Sequence, residues 1–256
     1  MSINVKNIFV IFSLLFVFSI TSLHAETFDA TLVWSKRVEL STPVNGIVEK
    51  VFAESGKIAA KGDVLVQLDP REFKADLAYA KASLKNADEK NKESKRELVR
   101  QQDMYDRTML SEHDLQVAKN NSISAQAHYQ KERASLTKAD LNLEYSAIRA
   151  PFNAIIIDVK AVKGQVVASV VTPPTLVTVA EAQRMMAQFN VSAEKVSELV
   201  LNQGVTVFVM GNEFKGKIVK ISLEPGSSQN NSYVVDAVFD SQDKILRAGL
   251  KAKVEL

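Results

Sequence analysis

Residues 71–144 read REFKADLAYAKASLKNADEKNKESKRELVRQQDMYDRTMLSEHDLQVAKNNSISAQAHYQKERASLTKADLNLE, a stretch that contains neither glycine nor proline. All nine glycines and all six prolines of the 256-residue chain lie outside the interval between Pro70 and Pro151. Helices commonly end at glycine or proline, so a stretch of this length without either residue predicts helix.

Small and apolar residues recur in this stretch with a period of 3.5, the heptad period of packed helices. One series runs from Phe73 to Tyr105 and a second runs from Leu115 to Leu143. Few residues separate the two series, so a tight turn about Thr108 is favoured over one continuous helix of about 110 Å. The sequence therefore predicts two long antiparallel helices that pair as a hairpin.

The two series also predict which residues face each other. A turn about Thr108 places Leu77 opposite Ala139 and Ala87 opposite Tyr129. Large residues then lie opposite small ones, which fills a core without voids. The stretch holds 14 basic and 13 acidic residues. Because the two signs are interspersed, we interpret the charges as solvated flanks of a narrow apolar seam.

Short β-branched segments broken by glycine flank the predicted hairpin on both sides. Residues 38–70 precede the hairpin and residues 145–180 follow it, and neither segment has enough apolar surface to fold alone. We expect the two segments to be halves of one β domain. Further strands in residues 181–256, together with residues 26–37, predict a small β-barrel of five or six strands. The predicted fold class is an α+β multidomain chain with a coiled-coil hairpin inserted between the two β halves.

Five short motifs carry a resemblance to a known family: VNGIV at 44–48, KGDVL at 61–65, IRAPF at 148–152, VKGQV at 162–166 and LRAGL at 246–250. By these motifs and their order, the chain resembles the periplasmic adaptor subunits, or membrane fusion proteins, of tripartite efflux pumps and type I secretion systems. Within that family the RND-type efflux adaptors are favoured. The resemblance implies a lipoyl-like domain for the two β halves, a helical hairpin between them and a barrel after them.

The resemblance also implies a function. The chain is expected to be a non-enzymatic adaptor in the periplasm, peripherally associated with the cell envelope, that links an inner-membrane transporter to an outer-membrane channel for export of small molecules such as drugs. Family members assemble as rings, so we expect a homo-oligomer such as a hexamer. One alternative is an adaptor of an ABC-type exporter or a type I secretion system. Another is a metal-efflux adaptor that binds metal through methionines.

A sharper match lies at the predicted hairpin tip. Adaptors that dock on outer-membrane channels of the export-duct type carry an Arg, a Leu four residues later and a Ser seven residues after that. The matching residues here are Arg100, Met104 and Ser111, and methionine keeps an apolar side chain at the second position. From the residues alone, Arg100 also fits an ordinary solvated charge and Ser111 fits an N-cap of the second helix.

Residues 1–25 have the form of an export signal. A single Lys6 precedes an apolar run from Ile8 to Ile20, and Ala25 stands at the expected cleavage point. The run is about 20 Å long as a helix, shorter than the roughly 30 Å hydrocarbon core of a bilayer. We therefore expect cleavage after Ala25, with a retained membrane anchor as the alternative.

Composition excludes several other classes of protein. A formal net charge of +2 leaves no broad basic field for nucleic acid. The absence of cysteine excludes disulfides and thiolate metal sites. The sequence contains none of the G-x-S-x-G, G-x-G-x-x-G, phosphate-loop or H-E-x-x-H motifs. We therefore expect no catalytic residues, no cofactor and no dedicated metal site.

Overall fold

The computed structural model describes residues 26–168, 173–227, 232–242 and 244–256. This part of the chain forms two units, one built around residues 34–184 and the other from the strands before and after it. None of the helices in the described ranges has the length and apolar content needed to cross a membrane. The predicted export signal, residues 1–25, lies outside the described residues.

The described ranges contain fourteen strands and three helices. In chain order these are β1 (Thr27–Trp34), β2 (Arg37–Leu40), β3 (Gly46–Val51), β4 (Ile58–Ala59), β5 (Val64–Leu68), α1 (Arg71–Asp106), α2 (Glu112–Tyr145), β6 (Ala147–Arg149), β7 (Ala154–Val159), β8 (Val166–Val167), β9 (Val177–Glu181), β10 (Arg184–Ser192), α3 (Ala193–Val196), β11 (Gly204–Val209), β12 (Asn212–Ser227), β13 (Ser232–Asp240) and β14 (Lys251–Glu255).

Helices α1 and α2 run side by side in the first unit and are joined by only five residues, 107–111. All eight buried side chains of the two helices lie on the predicted 3.5-residue series, and on α1 the series ends at Gln101 and leaves Tyr105 exposed. We call this stripe the seam. It consists of Phe73, Leu77, Ala80, Leu84, Ala87, Asn91, Ser94, Leu98 and Gln101 on α1, and of Leu115, Ala118, Ser122, Ala125, Tyr129, Glu132, Leu136, Ala139 and Leu143 on α2.

The same unit contains two four-stranded sheets, ordered β2-β9-β7-β4 and β6-β5-β3-β8. In each sheet, strands that precede the hairpin pair with strands that follow it, for example β2 with β9 and β5 with β6. The buried core between the sheets draws on both segments, with Val48, Val66 and Leu68 from the first and Ile156, Val167 and Val177 from the second. The prediction that the two segments are halves of one β domain is confirmed.

Two turns show how the halves repeat one local design. Gly62 and Gly164 have φ angles of 93° and 85°, which a residue with a Cβ rarely adopts. The residue after each glycine closes its turn with a side chain: Ala60 N–H donates to Asp63 Oδ2 at 2.9 Å, and Val162 N–H donates to Gln165 Oε1 at 3.0 Å. The KGDVL and VKGQV motifs therefore encode the same turn twice.

The second unit is a closed barrel of six strands, ordered β1-β10-β13-β12-β11-β14. Its interior is filled by alternate side chains, among them Leu32, Phe189 and Ile218, as expected of a small barrel. The predicted barrel is confirmed. Closure removes free strand edges from this unit, which leaves no edge for unwanted pairing.

Candidate docking site at the hairpin tip

The base of the hairpin is tied to the sheets by buried hydrogen bonds. Leu68 N–H donates to Ser146 O at 2.8 Å, and Gln67 Nε2 donates to the same oxygen at 3.1 Å. Thr42 Oγ1 donates to Tyr145 O at 2.8 Å. Thr42 and Ser146 are almost fully buried, so these bonds are shielded from water. The sheets therefore fix the direction in which the hairpin leaves them.

Helix α1 begins with a charged clamp across a proline. Asp69 Oδ1 accepts from Arg71 N–H at 3.1 Å and from Arg71 Nε at 3.0 Å. Pro70 stands at the helix start, where a backbone N–H has no partner within the helix, so the absence of this group in proline costs no hydrogen bond. The Arg71 guanidinium and backbone N–H together lower the pKa of the Asp69 carboxyl to about 2. The negative charge of Asp69 also interacts favourably with the positive, N-terminal end of the helix dipole.

The hairpin turns at Thr108, as the sequence predicts. Thr108 has a φ angle of 62°, a left-handed conformation that ends helices. Its N–H donates to Tyr105 O at 2.8 Å, and Met109 N–H donates to Met104 O at 2.9 Å. These bonds satisfy the last carbonyls of α1 and let the chain reverse within five residues.

Ser111 is the N-cap of α2. Its Oγ accepts from Asp114 N–H at 3.2 Å and donates to Asp114 Oδ2 at 2.6 Å. A hydroxyl in this position satisfies a free N–H of the first turn. The capping interpretation of Ser111 therefore agrees with the structure, and the hydroxyl remains on the exposed surface of the tip.

Arg100 is exposed and paired with carboxylates of its own helix. Its Nη2 lies 3.1 Å from Glu93 Oε1, its Nε donates to Glu97 Oε2 at 3.0 Å, and Nη2 also contacts Glu97. Hydrogen bonds from Gln101 and then from Arg100 lower the pKa of Glu97, and Glu97 first and Glu93 second raise the pKa of Arg100. A partner that binds Arg100 through Nε and Nη2 must therefore replace these two carboxylates.

Exposed apolar side chains complete the tip. Met104, one turn after Arg100 on α1, is 39% exposed, and Met109 in the turn is 69% exposed. Sequence reasoning singled out Met104 but missed Met109. The signal was available, because a methionine between two helices, outside either seam series, has no core position to occupy. The tip thus presents two flexible thioether side chains beside a guanidinium.

Other candidate ligands are scattered. In the described ranges, no group of three or more His, Asp or Glu side chains has the arrangement that holds a metal ion. Met185 is buried in the barrel, whereas Met210 is exposed at a barrel turn and Met104 lies at the hairpin tip. His128 lies 3.8 Å from Glu132 and is half exposed on α2.

Comparison with known proteins gives a family match over the first unit. Residues 36–181 match the model of the CzcB-like barrel-sandwich hybrid domain. Macrolide export protein MacA of Yersinia pestis is 26% identical over 240 residues, which cover 86% of this chain and 64% of that protein. The chain thus spans somewhat less than two thirds of the length of that relative.

Solved structures share the fold. A MacA-MexA chimeric protein that contains the Pseudomonas aeruginosa MexA α-hairpin domain matches with a TM-score of 0.65 and 21% identity, over 90% of this chain and 77% of the chimera. The membrane fusion protein Spr0693 from Streptococcus pneumoniae R6 matches with a TM-score of 0.66 and 15% identity, over 90% of this chain and 98% of that one. At these identities the likeness concerns the fold alone.

Proposed function

The chain belongs to the membrane fusion proteins, the periplasmic adaptors of efflux pumps, and from that premise we propose that it bridges an inner-membrane transporter and an outer-membrane channel. In this role the chain catalyses nothing. It acts as a spacer and a double-ended docking protein in the periplasm, and small molecules such as drugs are the exported cargo.

One observation carries the proposal: a stiff hairpin with a fixed base and an exposed tip. The 36 residues of α1 extend about 54 Å at 1.5 Å per residue. The buried bonds of Thr42, Gln67 and Ser146 hold the base. A rigid arm of this kind has no catalytic use, but it places its tip at a constant distance from the sheets, as a bridge between two membranes requires.

The tip is the proposed docking site for the channel. Arg100 offers a planar guanidinium that binds a carboxylate or backbone carbonyls through two hydrogen bonds, which lysine cannot reproduce. Docking would exchange Glu97 and Glu93 for acceptors of the channel, so little desolvation cost is added at an exposed site. Met104 would fill an apolar groove, and Ser111 would contribute its hydroxyl where α2 begins.

The remaining parts are assigned to the transporter side and to assembly. We assign 1–25 to an export signal, 38–70 with 145–180 to the lipoyl-like domain, 71–144 to the hairpin, and 26–37 with 181–256 to the barrel. The barrel and lipoyl-like surfaces would contact the transporter. Several copies would form a ring, and we propose six copies.

The transporter is proposed to be of the RND type, driven by the proton gradient. An ABC-type exporter or type I system is the second candidate. Export measured in intact cells separates the two, because an uncoupler that collapses the proton gradient while ATP is maintained stops only RND-type transport. A metal-efflux adaptor remains the third candidate. The exposed thioethers of Met104 and Met109 in the hairpin and of Met210 in the barrel are the described groups that favour it.

The docking proposal is tested in cells that depend on this chain for export. Arg100→Asp combined with Ser111→Arg should abolish export and leave expression and processing unchanged, with stability lowered by about the 1 kcal/mol that the lost Ser111 cap contributes. The matched control is Lys90→Asp with Asn121→Arg, exposed positions farther from the turn, and it should retain export. Undiminished export by the tip variant would contradict tip docking.

A further inference from the structure

The hairpin has two long faces, which lie on either side of the seam. Because the helices are antiparallel, residues directly after a seam residue share one face, and residues directly before a seam residue share the other. The surface grooves at the hairpin base confirm this division. Lys74, Asp140 and Glu144 line one groove, whereas Glu72 and Asn142 line a different one.

The two faces carry different charge in the middle of the hairpin. We define the basic face as the residues that follow seam positions between 81–99 on α1 and 116–137 on α2. It holds six basic residues and one acidic residue, Asp88, a formal charge of +5. Over the same length the opposite face holds two basic and two acidic residues, Lys90, Lys131, Glu93 and Glu97, a formal charge of zero, and two more basic residues, Arg100 and Lys138, follow directly beyond it. The basic residues of the basic face are Lys81, Lys85, Lys92, Lys95, Lys119 and Arg133.

Most of these cations have no carboxylate partner. Among the described residues, Lys92 is the one member of the set that forms an ion pair, at 2.6 Å from Asp88 and 3.2 Å from Glu89. Ion pairs within a helix stabilise it, and elsewhere α1 uses them, as between Arg96 and Glu93 at 2.6 Å. Ion pairing within the helices therefore does not account for the five unpaired cations. They repel one another and remain exposed.

Apolar side chains interrupt the same surface. Ile123 on α2 is 66% exposed and Val99 on α1 is 62% exposed, and both follow seam positions. These two side chains give the basic face apolar surface beside its ammonium groups. Cations interleaved with apolar side chains suit a polymer that alternates anionic groups with apolar or sugar-ring surface.

We propose that the basic face binds the peptide carboxylates of peptidoglycan, an inference that rests on the proposed bridging function. Lys81 lies about 15 Å from the start of α1 and Lys95 about 16 Å from its end, so the face occupies the middle of the arm. An arm that reaches from the inner to the outer membrane meets lipid headgroups near its ends and the cell wall between them. At that height the repeating anion is a carboxylate.

Binding would be multivalent rather than tight at any one site. An exposed ammonium–carboxylate contact is individually weak. Six cations over roughly 20 Å of arm can engage several carboxylates of one polymer at once, which raises the overall affinity without a dedicated pocket. Such contacts would hold the arm upright in the wall and remain exchangeable during assembly.

Co-sedimentation of the purified full chain with isolated peptidoglycan sacculi tests this proposal. The test variant is Lys85→Gln with Lys95→Gln and Lys119→Gln, and the matched control is Lys90→Gln with Lys131→Gln and Lys138→Gln. Both lose three positive charges from exposed helical positions, and glutamine keeps helix propensity. We expect the test variant to bind about tenfold more weakly, because it can no longer form three weak ion pairs with the polymer, and the control to bind as the wild type does.

Two further measurements, with chemically modified sacculi and at raised salt concentration, test whether binding depends on carboxylates. Sacculi whose carboxylates have been amidated should no longer bind the wild-type chain, and binding should weaken with salt. The proposal would be overturned if both variants lost binding equally or if the test variant lost none. It would also be overturned if the wild-type chain bound amidated sacculi. Sedimentation of the test variant as a smaller oligomer than wild type without sacculi would overturn it too, because the face would then join copies of the chain. The assay contains no transporter or channel, so its failure leaves tip docking standing.

Discussion

Asp69 and Arg71 form a salt bridge across Pro70, with Arg71 Nη2 2.5 Å from Asp69 Oδ2. The pair stands where the sheets end and the hairpin begins, and Asp69 also accepts the first free N–H of α1. One carboxylate thus serves as a hydrogen-bond acceptor at the helix start, an ion-pair partner and a charge at the positive end of the helix dipole.

The pH dependence of this clamp has a definite sign. The pKa of Asp69 falls from 3.8 to about 2 in the folded chain, chiefly through hydrogen bonds from Arg71. A carboxyl whose folded pKa is depressed adds stability above its unfolded pKa, and this is lost as pH falls through the folded value. Asp69→Ala should therefore lower the melting temperature at neutral pH, and the difference from wild type should shrink as pH falls from about 4 to about 2.

Thermal unfolding followed by circular dichroism at several pH values measures this difference. Asp76→Ala is the matched control, because Asp76 is an exposed acid on the same helix with no hydrogen bond or ion pair to another described residue. A difference between Asp69→Ala and wild type that is as large at pH 2 as at pH 7 would show that the carboxylate charge is not what stabilises the helix start.

The hairpin register is open to a direct test because the chain has no cysteine. The heptad series predicts that Leu77 faces Ala139. Cysteines placed at these two positions should form a disulfide under mild oxidation, whereas cysteines at 77 and 132, one heptad away, should not. Gel mobility without reductant gives the result. Preferential crosslinking of the 77 and 132 pair would move the turn away from Thr108.

Asn91 is a polar residue in the seam that weakens it. The side chain is 6% exposed, and its Oδ1 has no hydrogen-bond partner among the described residues. A buried acceptor that forms no hydrogen bond costs about 1–3 kcal/mol of stability. Asn91→Leu, of similar size, should therefore raise the free energy of unfolding by about 1–2 kcal/mol, as measured by urea titration.

The control for this change is Asn86→Leu, at an exposed position of α1. It should leave stability almost unchanged. A loss of stability in Asn91→Leu would mean that the amide makes a bond that the seam needs.

Ser111 has a structural role that can be separated from docking. Ser111→Ala removes the N-cap acceptor of α2 and should cost about 1 kcal/mol of unfolding free energy. Ser111→Asp retains an acceptor for Asp114 N–H and should cost less, although it places two carboxylates together. Urea titrations of both variants, beside wild type, measure the cap alone. Equal stability of Ser111→Ala and wild type would leave the hydroxyl with no structural use.

The elements that sequence reasoning predicted are those whose residues are close together in the chain. The heptad series from Phe73 defines α1 to within its last turn, and glycines with positive φ mark the turns at Gly62 and Gly164. The hydrogen bond from Thr42 to Tyr145 joins residues 103 positions apart, and no local sequence pattern predicts it. The Arg100 pairs with Glu93 and Glu97 follow helical spacing, yet the sequence allows Lys or Arg neighbours to compete for the same carboxylates.

The residues of the tip differ in how far the sequence predicts them. A family motif fixes the spacing of Arg100, Met104 and Ser111, whose docking role stays a prediction, whereas the exposure of Met109 depends on where α1 ends. That end is set by the left-handed Thr108 and its bond to Tyr105 O at 2.8 Å. Threonine is not a usual residue for this conformation, so the position of the turn came from the two seam series and not from its own sequence.

The central claim is that the hairpin tip meets an outer-membrane channel, and site-specific crosslinking in cells measures it most directly. Met109→Cys places the sole cysteine of the chain in the exposed turn, and Ile123→Cys places one at a similarly exposed position in the middle of α2. With a short bifunctional reagent, Met109→Cys should yield an adduct whose partner is identified by mass spectrometry as an outer-membrane channel protein, and Ile123→Cys should not. A channel adduct from Ile123→Cys with none from Met109→Cys would contradict the account.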